Sequence, residues 1–214
     1  MLSTRPETAP ARRMSPAPLA FDQITLSVLR ARLAQQRYVL ALGLIPGPQR
    51  RLVYDYIVET ALEGGMMAGD AQVPGTPAAY ADPVAEAVLE ELLPTVSAIF
   101  GRDLVPTNSY LRLYKRGDKL AKHIDRPGCE CSVSVCFGYE PDEQPWAFHV
   151  QSPGSAEAEG VLMRPGDGVL HYGSECPHWR EAYAGERLAQ VFFHYVDRVG
   201  GNAEWAYDKR GRTG

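Results

Sequence analysis

The stretch Tyr114-Lys115-Arg116-Gly117-Asp118-Lys119-Leu120-Ala121-Lys122-His123-Ile124-Asp125 decides how the rest of the chain is read. It begins at the end of an alternating apolar run (108–114), turns at Lys115-Arg116-Gly117-Asp118 and closes on His123-Ile124-Asp125, before a second apolar run at 131–137. In an extended segment, side chains two apart share a face, so the imidazole of His123 and the carboxylate of Asp125 point into one interior. Further short apolar or alternating runs follow at 146–150, 160–163, 168–172 and 188–196, punctuated by turn residues such as Arg164-Pro165-Gly166-Asp167. Before Gly101 the texture differs. Ile24, Leu26, Val28, Leu29 and Leu33 fit a helix over 21–36, the run 38–42 reads as a buried strand, and a second helix is predicted from Pro48 to about Glu63. Asp82-Pro83 supplies an N-cap and a first-turn proline for a third helix carrying Val84, Val88, Leu89, Leu92 and Leu93, with a kink or break expected at Pro94. Helices first and many short strands afterwards predict an α+β fold in which helices back a β-sandwich or jelly roll.

The boundaries follow from composition. Residues 1–20 hold Pro6, Pro10, Pro16 and Pro18 and few large apolar side chains, so they read as a mobile arm. Residues 21–200 read as one domain, helical over 21–104 and strand-rich over 105–197. The tail 201–214 carries Trp205 and Tyr207 and is expected to dock in part. Residues 64–77 (GGMMAGDAQVPGTP), rich in Gly and Pro without a period, read as a flexible loop over a site. With 214 residues, 45% apolar and 22% charged, the composition is that of one globular domain. No apolar run approaches the ~20 residues of a membrane span, and the N-terminus lacks the apolar core of a secretory signal, so a soluble, cytoplasmic protein is expected. The four unevenly spaced cysteines (Cys129, Cys131, Cys136, Cys176) read as reduced thiols, and Cys129 and Cys131 lack the second pair a zinc site needs. A net charge of -4 argues against strong nucleic-acid binding, and nothing in the sequence sets an oligomeric state.

His178 follows the 168–172 run, where a jelly roll could return the chain beside His123. Two histidines and one carboxylate on a common face leave coordination positions open, the donor set of non-haem Fe(II) oxygenases. The plainer alternative is a surface His-Asp pair with His178 as a hydrogen-bonded core residue. The residues around the three widen the pattern: Tyr114 through Asp125, then Pro165-Gly166-Asp167, then His178, then Arg187 nine residues on. Together they resemble the 2-oxoglutarate- and Fe(II)-dependent oxygenases, most closely the prolyl-4-hydroxylase-like branch, over about 105–197.

That resemblance implies a double-stranded β-helix, a cupin-like jelly roll, with Fe(II) held by His123, Asp125 and His178. Arg187 would pair its planar fork of donors with the distal carboxylate of 2-oxoglutarate. Tyr114 stands where similar hydroxylases place a tyrosine that contacts this co-substrate. By strand parity Tyr110 and Arg112 share its face, although Tyr110 reads equally well as a core aromatic. Six basic residues between 112 and 126, against two acidic ones, could steer an anion to the site or form a solvated edge; Arg112 and Arg126 are the candidates for contact with the primary substrate. Trp179 and Arg180, directly after His178, are placed beside the substrate too, Trp179 as a wall of the metal site.

The activity implied is a dioxygenase that uses O2 and 2-oxoglutarate to hydroxylate an unactivated C–H bond of a small molecule or peptidyl residue, releasing succinate and CO2. Two other readings stay open. Part of the pattern, including Ser134-Val135-Cys136-Phe137-Gly138, also looks like the AlkB-type dealkylases, but no arginine-rich signature follows Arg187. A cupin-like binding module without turnover would be marked by loss of a ligand or of the co-substrate arginine, and all four positions are filled here.

Overall fold

Two of the three helices open on a capping aspartate. α1 (Gln23–Gln36) starts at Asp22, whose carboxylate accepts from the Thr25 N–H at 2.7 Å. α2 (Gly47–Leu62) has a proline in its first turn. α3 (Pro83–Phe100) starts at Asp82, whose Oδ1 accepts from the N–H groups of Val84 and Ala85, while Tyr56 of α2 donates to its Oδ2 at 2.7 Å. Asp82→Ala removes the cap and that cross-helix bond, and is expected to cost about 1–2 kcal/mol, read as a lower urea midpoint with an unchanged slope. Pro94 lies inside α3 without breaking it. Leu92, Thr95 and Val96 on either side are buried, and α3 packs on both α1 and the sheet, so tertiary packing outweighs the missing donor.

The computed structural model describes residues 20–141 and 145–210, and the mobile-arm expectation falls almost wholly outside them. Its strands are β1 (Tyr38–Ala41), β2 (Met67–Gly69), β3 (Pro74–Tyr80), β4 (Leu104–Lys115), β5 (Leu120–His123), β6 (Cys131–Glu140), β7 (Ala147–Val150), β8 (Glu159–Leu162), β9 (Gly168–Tyr172), β10 (His178–Arg180) and β11 (Arg187–Asp197). They form two antiparallel sheets, a seven-stranded one in the order β1-β9-β6-β11-β4-β3-β2 and a four-stranded one in the order β5-β10-β7-β8. The α+β expectation therefore holds. α2 and α3 cover one face of the large sheet, against β4, β6 and β11. On its other face Trp146, Phe148 and Arg180 from the small-sheet side reach Tyr114, His171 and Gln190. Both interfaces join one continuous apolar core.

Residues 64–77 are a correction to the sequence reading. Instead of a flexible loop they form most of the β2–β3 hairpin, because Ala78, Ala79 and Tyr80 pair in register with Arg112, Leu111 and Tyr110 of β4. Gly69, at the end of β2, and Gly75, at the start of β3, take the left-handed φ of 88° and 74° at the hairpin's bend. The hairpin does lie beside the cavity described below, as expected. The tail also docks: the C-terminal turn Ala203–Lys209 packs against β4 and β11, and Arg210 donates to Glu86 and to the Thr107 carbonyl. No helix among the described residues is long and apolar enough to cross a membrane.

Candidate active site

β5 and β10 pair so that His123 and His178 stand directly opposite, with ring centroids 4.3 Å apart. Each ring is oriented by the backbone carbonyl two residues before it: His123 Nδ1 lies 2.8 Å from the Ala121 oxygen and His178 Nδ1 2.9 Å from the Cys176 oxygen. A carbonyl only accepts, so each Nδ1 carries the proton and each Nε2 is left to face inward. Asp125 Oδ1 lies 3.6 Å from one Nε2 and 3.5 Å from the other. Asp125 is itself fixed, its N–H donating to the Gly173 carbonyl at 2.9 Å and its Oδ2 accepting from Ser132 Oγ at 3.0 Å. Gly173 has to be glycine, since a Cβ there would collide with that Oδ2.

Three electron-rich atoms thus converge on one point, which calls for a positive charge between them. Burial pulls the Asp125 carboxyl upward, but hydrogen bonds from His123 and His178 outweigh it and hold it well below the usual range. Burial pulls His123 downward, and the bond to Asp125 reverses that, leaving its pKa raised. A divalent ion would do the same work more completely, and the donor set suits iron of the non-haem type. Ligand atoms of Asp125, Cys129 and His194 also cluster. There, burial pushes the Cys129 thiol up, so it stays protonated and is a poor ligand.

These groups line a cavity of about 380 Å³ that also exposes Tyr110, Arg112, Tyr114, Asn108, Arg126 and His171. Strand parity on β4 thus has the expected result, with Tyr110, Arg112 and Tyr114 on one face. His171 and His194, which sequence reading missed, arrive by the same rule from β9 and β11. Burial pulls His171 down to about 3 and His194 to about 4, so both are neutral, and neither His171 nitrogen has a hydrogen-bond partner among the described residues.

Three of the sequence's candidate site residues lie outside the cavity. Arg187 does not line the cavity; its Nε donates to Glu140 at 2.9 Å, and its side chain is 36% exposed. On β11 it shares parity with Tyr195, whose hydroxyl reaches the Leu89 carbonyl of α3, whereas Phe192 and His194 on the other parity face the cavity. Trp179, between the inward-facing His178 and Arg180, points away from the cavity, stacking on His149 at 5.2 Å with its indole N–H on Glu181.

Arg180, two residues after His178 on β10, is likewise not among the residues that line the cavity, but it is held in the interior of the fold. It is fully buried, donating from Nη1 to the Trp146 carbonyl at 2.7 Å and from Nη2 to Gln190 Oε1 at 2.5 Å, with its guanidinium 4.6 Å from the Trp146 ring. Neither hydrogen-bond partner is an acid. Burial pulls its pKa down to about 10, which leaves it charged at neutral pH. Around it Arg180 Nε, Gln190 Nε2 and the Tyr114 hydroxyl are buried without partners among the described residues. A buried cation ringed by unmet donors is costly unless an anion completes it.

No family model and no curated protein matches the chain. Solved structures do. The epimerase SnoN in complex with Fe3+, alpha ketoglutarate and nogalamycin RO is 13% identical, with a TM-score of 0.70 over 90% of this chain and 93% of that one. A prolyl-4-hydroxylase of Pseudomonas putida is 17% identical, with a TM-score of 0.65 over 81% and 99%. HygX of Streptomyces hygroscopicus, with nickel, 2-oxoglutarate and hygromycin B bound, is 13% identical, with a TM-score of 0.60 over 84% and 88%. The chain shares the fold of these proteins.

Proposed function

We propose that the chain is an Fe(II)- and 2-oxoglutarate-dependent oxygenase built on a double-stranded β-helix, oxidising a C–H bond of a small molecule or peptidyl residue, with hydroxylation as the outcome. The observation that carries this reading is the convergence of His123 Nε2, His178 Nε2 and Asp125 Oδ1 in a cavity, both Nδ1 protons being turned outward onto carbonyls. In this reading those three residues hold the metal. Arg180, with Gln190 and Tyr114, receives the distal carboxylate of 2-oxoglutarate in place of Arg187. Arg180 lies two residues from His178 on the same strand face, roughly 7 Å along the backbone, a span that a five-carbon keto diacid chelated at one end can bridge.

When bound, iron, keto acid and O2 supply an oxidation that releases succinate and CO2. The chain's own part is binding and orientation. The Ala121 and Cys176 carbonyls fix which imidazole nitrogen faces inward, and Ser132 and Gly173 hold the Asp125 carboxylate in place. Trp146, Phe148 and Tyr114 keep water from Arg180, which strengthens its pull on an entering carboxylate.

Thermal unfolding measured anaerobically with Fe(II), with 2-oxoglutarate, with both and with neither tests the reading. The largest rise in midpoint is expected with both together, since each ligand binds only the folded chain and the keto acid also binds the metal. Succinate should then form in air when substrates of one class after another are added. A midpoint indifferent to every combination would leave a binding module or a structural His-Asp-His cluster instead.

A further inference from the structure

The basic run between 112 and 126 could steer an anion or form a solvated edge, and the structure turns three of its six charges elsewhere. Lys115, Arg116 and Lys122 donate to the Gly75 carbonyl, the Ala184 carbonyl and Gln151. The two arginines that do line the cavity, Arg112 and Arg126, are each matched by a carboxylate brought in from a peripheral segment. Asp70, at the tip of the β2–β3 hairpin, accepts at Oδ2 from Arg112 Nη2 (2.6 Å) and the Tyr110 hydroxyl (2.7 Å). Asp208, in the C-terminal turn, accepts from Arg126 Nη1 (2.7 Å) and from the Tyr80 hydroxyl. Tyr80 and Tyr110 are direct cross-strand partners, so the same Tyr-Asp-Arg cluster is built twice, side by side. Asp208 is delivered at a conformational cost: Tyr207, Asp208 and Lys209 have φ of 51°, 53° and 58°, three successive non-glycine residues in the left-handed region.

Neutralisation leaves donors over. Arg112 is 2% exposed, and its Nε and Nη1 have no partner among the described residues, while Nη2 is held by Asp70 and, at 3.2 Å, by Gln72. Because Nη2 is taken, no intact two-nitrogen fork remains for a carboxylate. What remains are single N–H groups on a charge-compensated side chain, flanked by the rings of Tyr110 and Tyr114 at 5.1 and 5.8 Å. We infer that the primary substrate is an uncharged molecule that presents carbonyl or hydroxyl oxygens to Arg112, and that Asp70 and Asp208 exclude free acids by cancelling the charge that would attract them. Asp70 and Asp208 are positioning residues, acting through the arginines. The inference rests on the function proposed above, because it takes Arg180 as the co-substrate's anchor.

The test uses acetate as a probe of an open anion site, on protein loaded with Mn(II) and saturating 2-oxoglutarate, with sodium chloride at equal ionic strength as the control. Wild-type protein should show no acetate-specific rise in unfolding midpoint. Asp70→Asn keeps the side-chain shape and unmasks Arg112, and should gain an acetate-dependent rise that Asp70→Asn/Arg112→Gln lacks. Asp208→Asn should do the same through Arg126, which keeps the test decisive if the hairpin variant does not fold. Equal acetate stabilisation of wild type and variants, or none in either, overturns the inference. If 2-oxoglutarate does not stabilise the Mn(II)-loaded wild type at the loading step, the proposed function fails instead. Turnover then tests the substrate class: in matched pairs of an acid and its primary amide, the amide should stimulate succinate formation at least tenfold more than the acid.

Discussion

Arg180→Met is expected to abolish tight 2-oxoglutarate binding while leaving the ligand-free protein no less stable than wild type. The two effects have one cause. In the ligand-free chain Arg180 is a fully buried cation with no acid hydrogen-bonded to it among the described residues, and an apolar side chain of similar length avoids the desolvation that this charge suffers. With the keto acid bound, the same charge becomes the partner of a desolvated carboxylate, and its removal should cost about 2–5 kcal/mol, or about 30-fold to several thousand-fold in Kd. Arg180→Lys keeps the charge without the planar fork and should fall between. Arg187→Met should leave the keto acid's Kd within about threefold of wild type, because that side chain is held outside the cavity by Glu140. Calorimetric titration of Mn(II)-loaded protein, with thermal unfolding of each ligand-free variant, checks both halves. A normal Kd in Arg180→Met beside a weakened one in Arg187→Met would return the anchor to β11.

The second large effect is expected at Asp125. Asp125→Asn changes a charge and almost no volume, and the backbone bond to Gly173 does not depend on the side chain. The variant should fold, yet bind Fe(II) or Mn(II) at least ~100-fold more weakly, since loss of even an outer partner of a metal ligand commonly costs 10–100-fold. His123→Ala and His178→Ala should act alike, with a larger loss of stability at His178, which is the more buried of the pair. Metal content after dialysis and equilibrium titration read the affinity, and a variant that keeps full affinity removes its residue from the ligand set.

Much of this architecture was legible in the sequence because its strands are long or strongly patterned. The runs at 131–137, 168–172 and 188–196 fall within β6, β9 and β11, and Asp82-Pro83 opens α3 as its chemistry dictates. The grouping of His123, Asp125 and His178 was legible from i, i+2 spacing, although it took the pairing of β5 with β10 to bring the histidines face to face. Both strands are too short, at four and three residues, to carry a period.

The misplaced residues have physical reasons as well. Arginine is almost never fully buried without a charged partner, so nothing in the chain marks Arg180 as interior; only its parity with His178 does. Arg187 has the spacing that the resemblance leads one to expect, but it sits on the helix-facing parity of β11. Counting back in twos from His194 through Phe192 to Gln190 would have exposed the conflict. Residues 64–77 carry the glycines and prolines of a loop, and only pairing with β4, far along the chain, makes them a hairpin. The charge excess between 112 and 126 was correctly counted but could not reveal its own cancellation, because Asp70 and Asp208 lie 42 and 82 residues from the arginines they meet.

The central claim is that one metal ion and one keto acid meet at His123, Asp125 and His178. Anaerobic titration of Fe(II) into the chain at saturating 2-oxoglutarate, followed by visible absorbance, tests it most directly, because a metal chelated by a keto acid gives a charge-transfer band that neither partner gives alone. The account predicts a band that requires both, saturates at one equivalent of Fe(II), and is lost in Asp125→Asn and in Arg180→Met at the same concentrations. No band in the wild-type chain, or a band unchanged in Asp125→Asn, would contradict it.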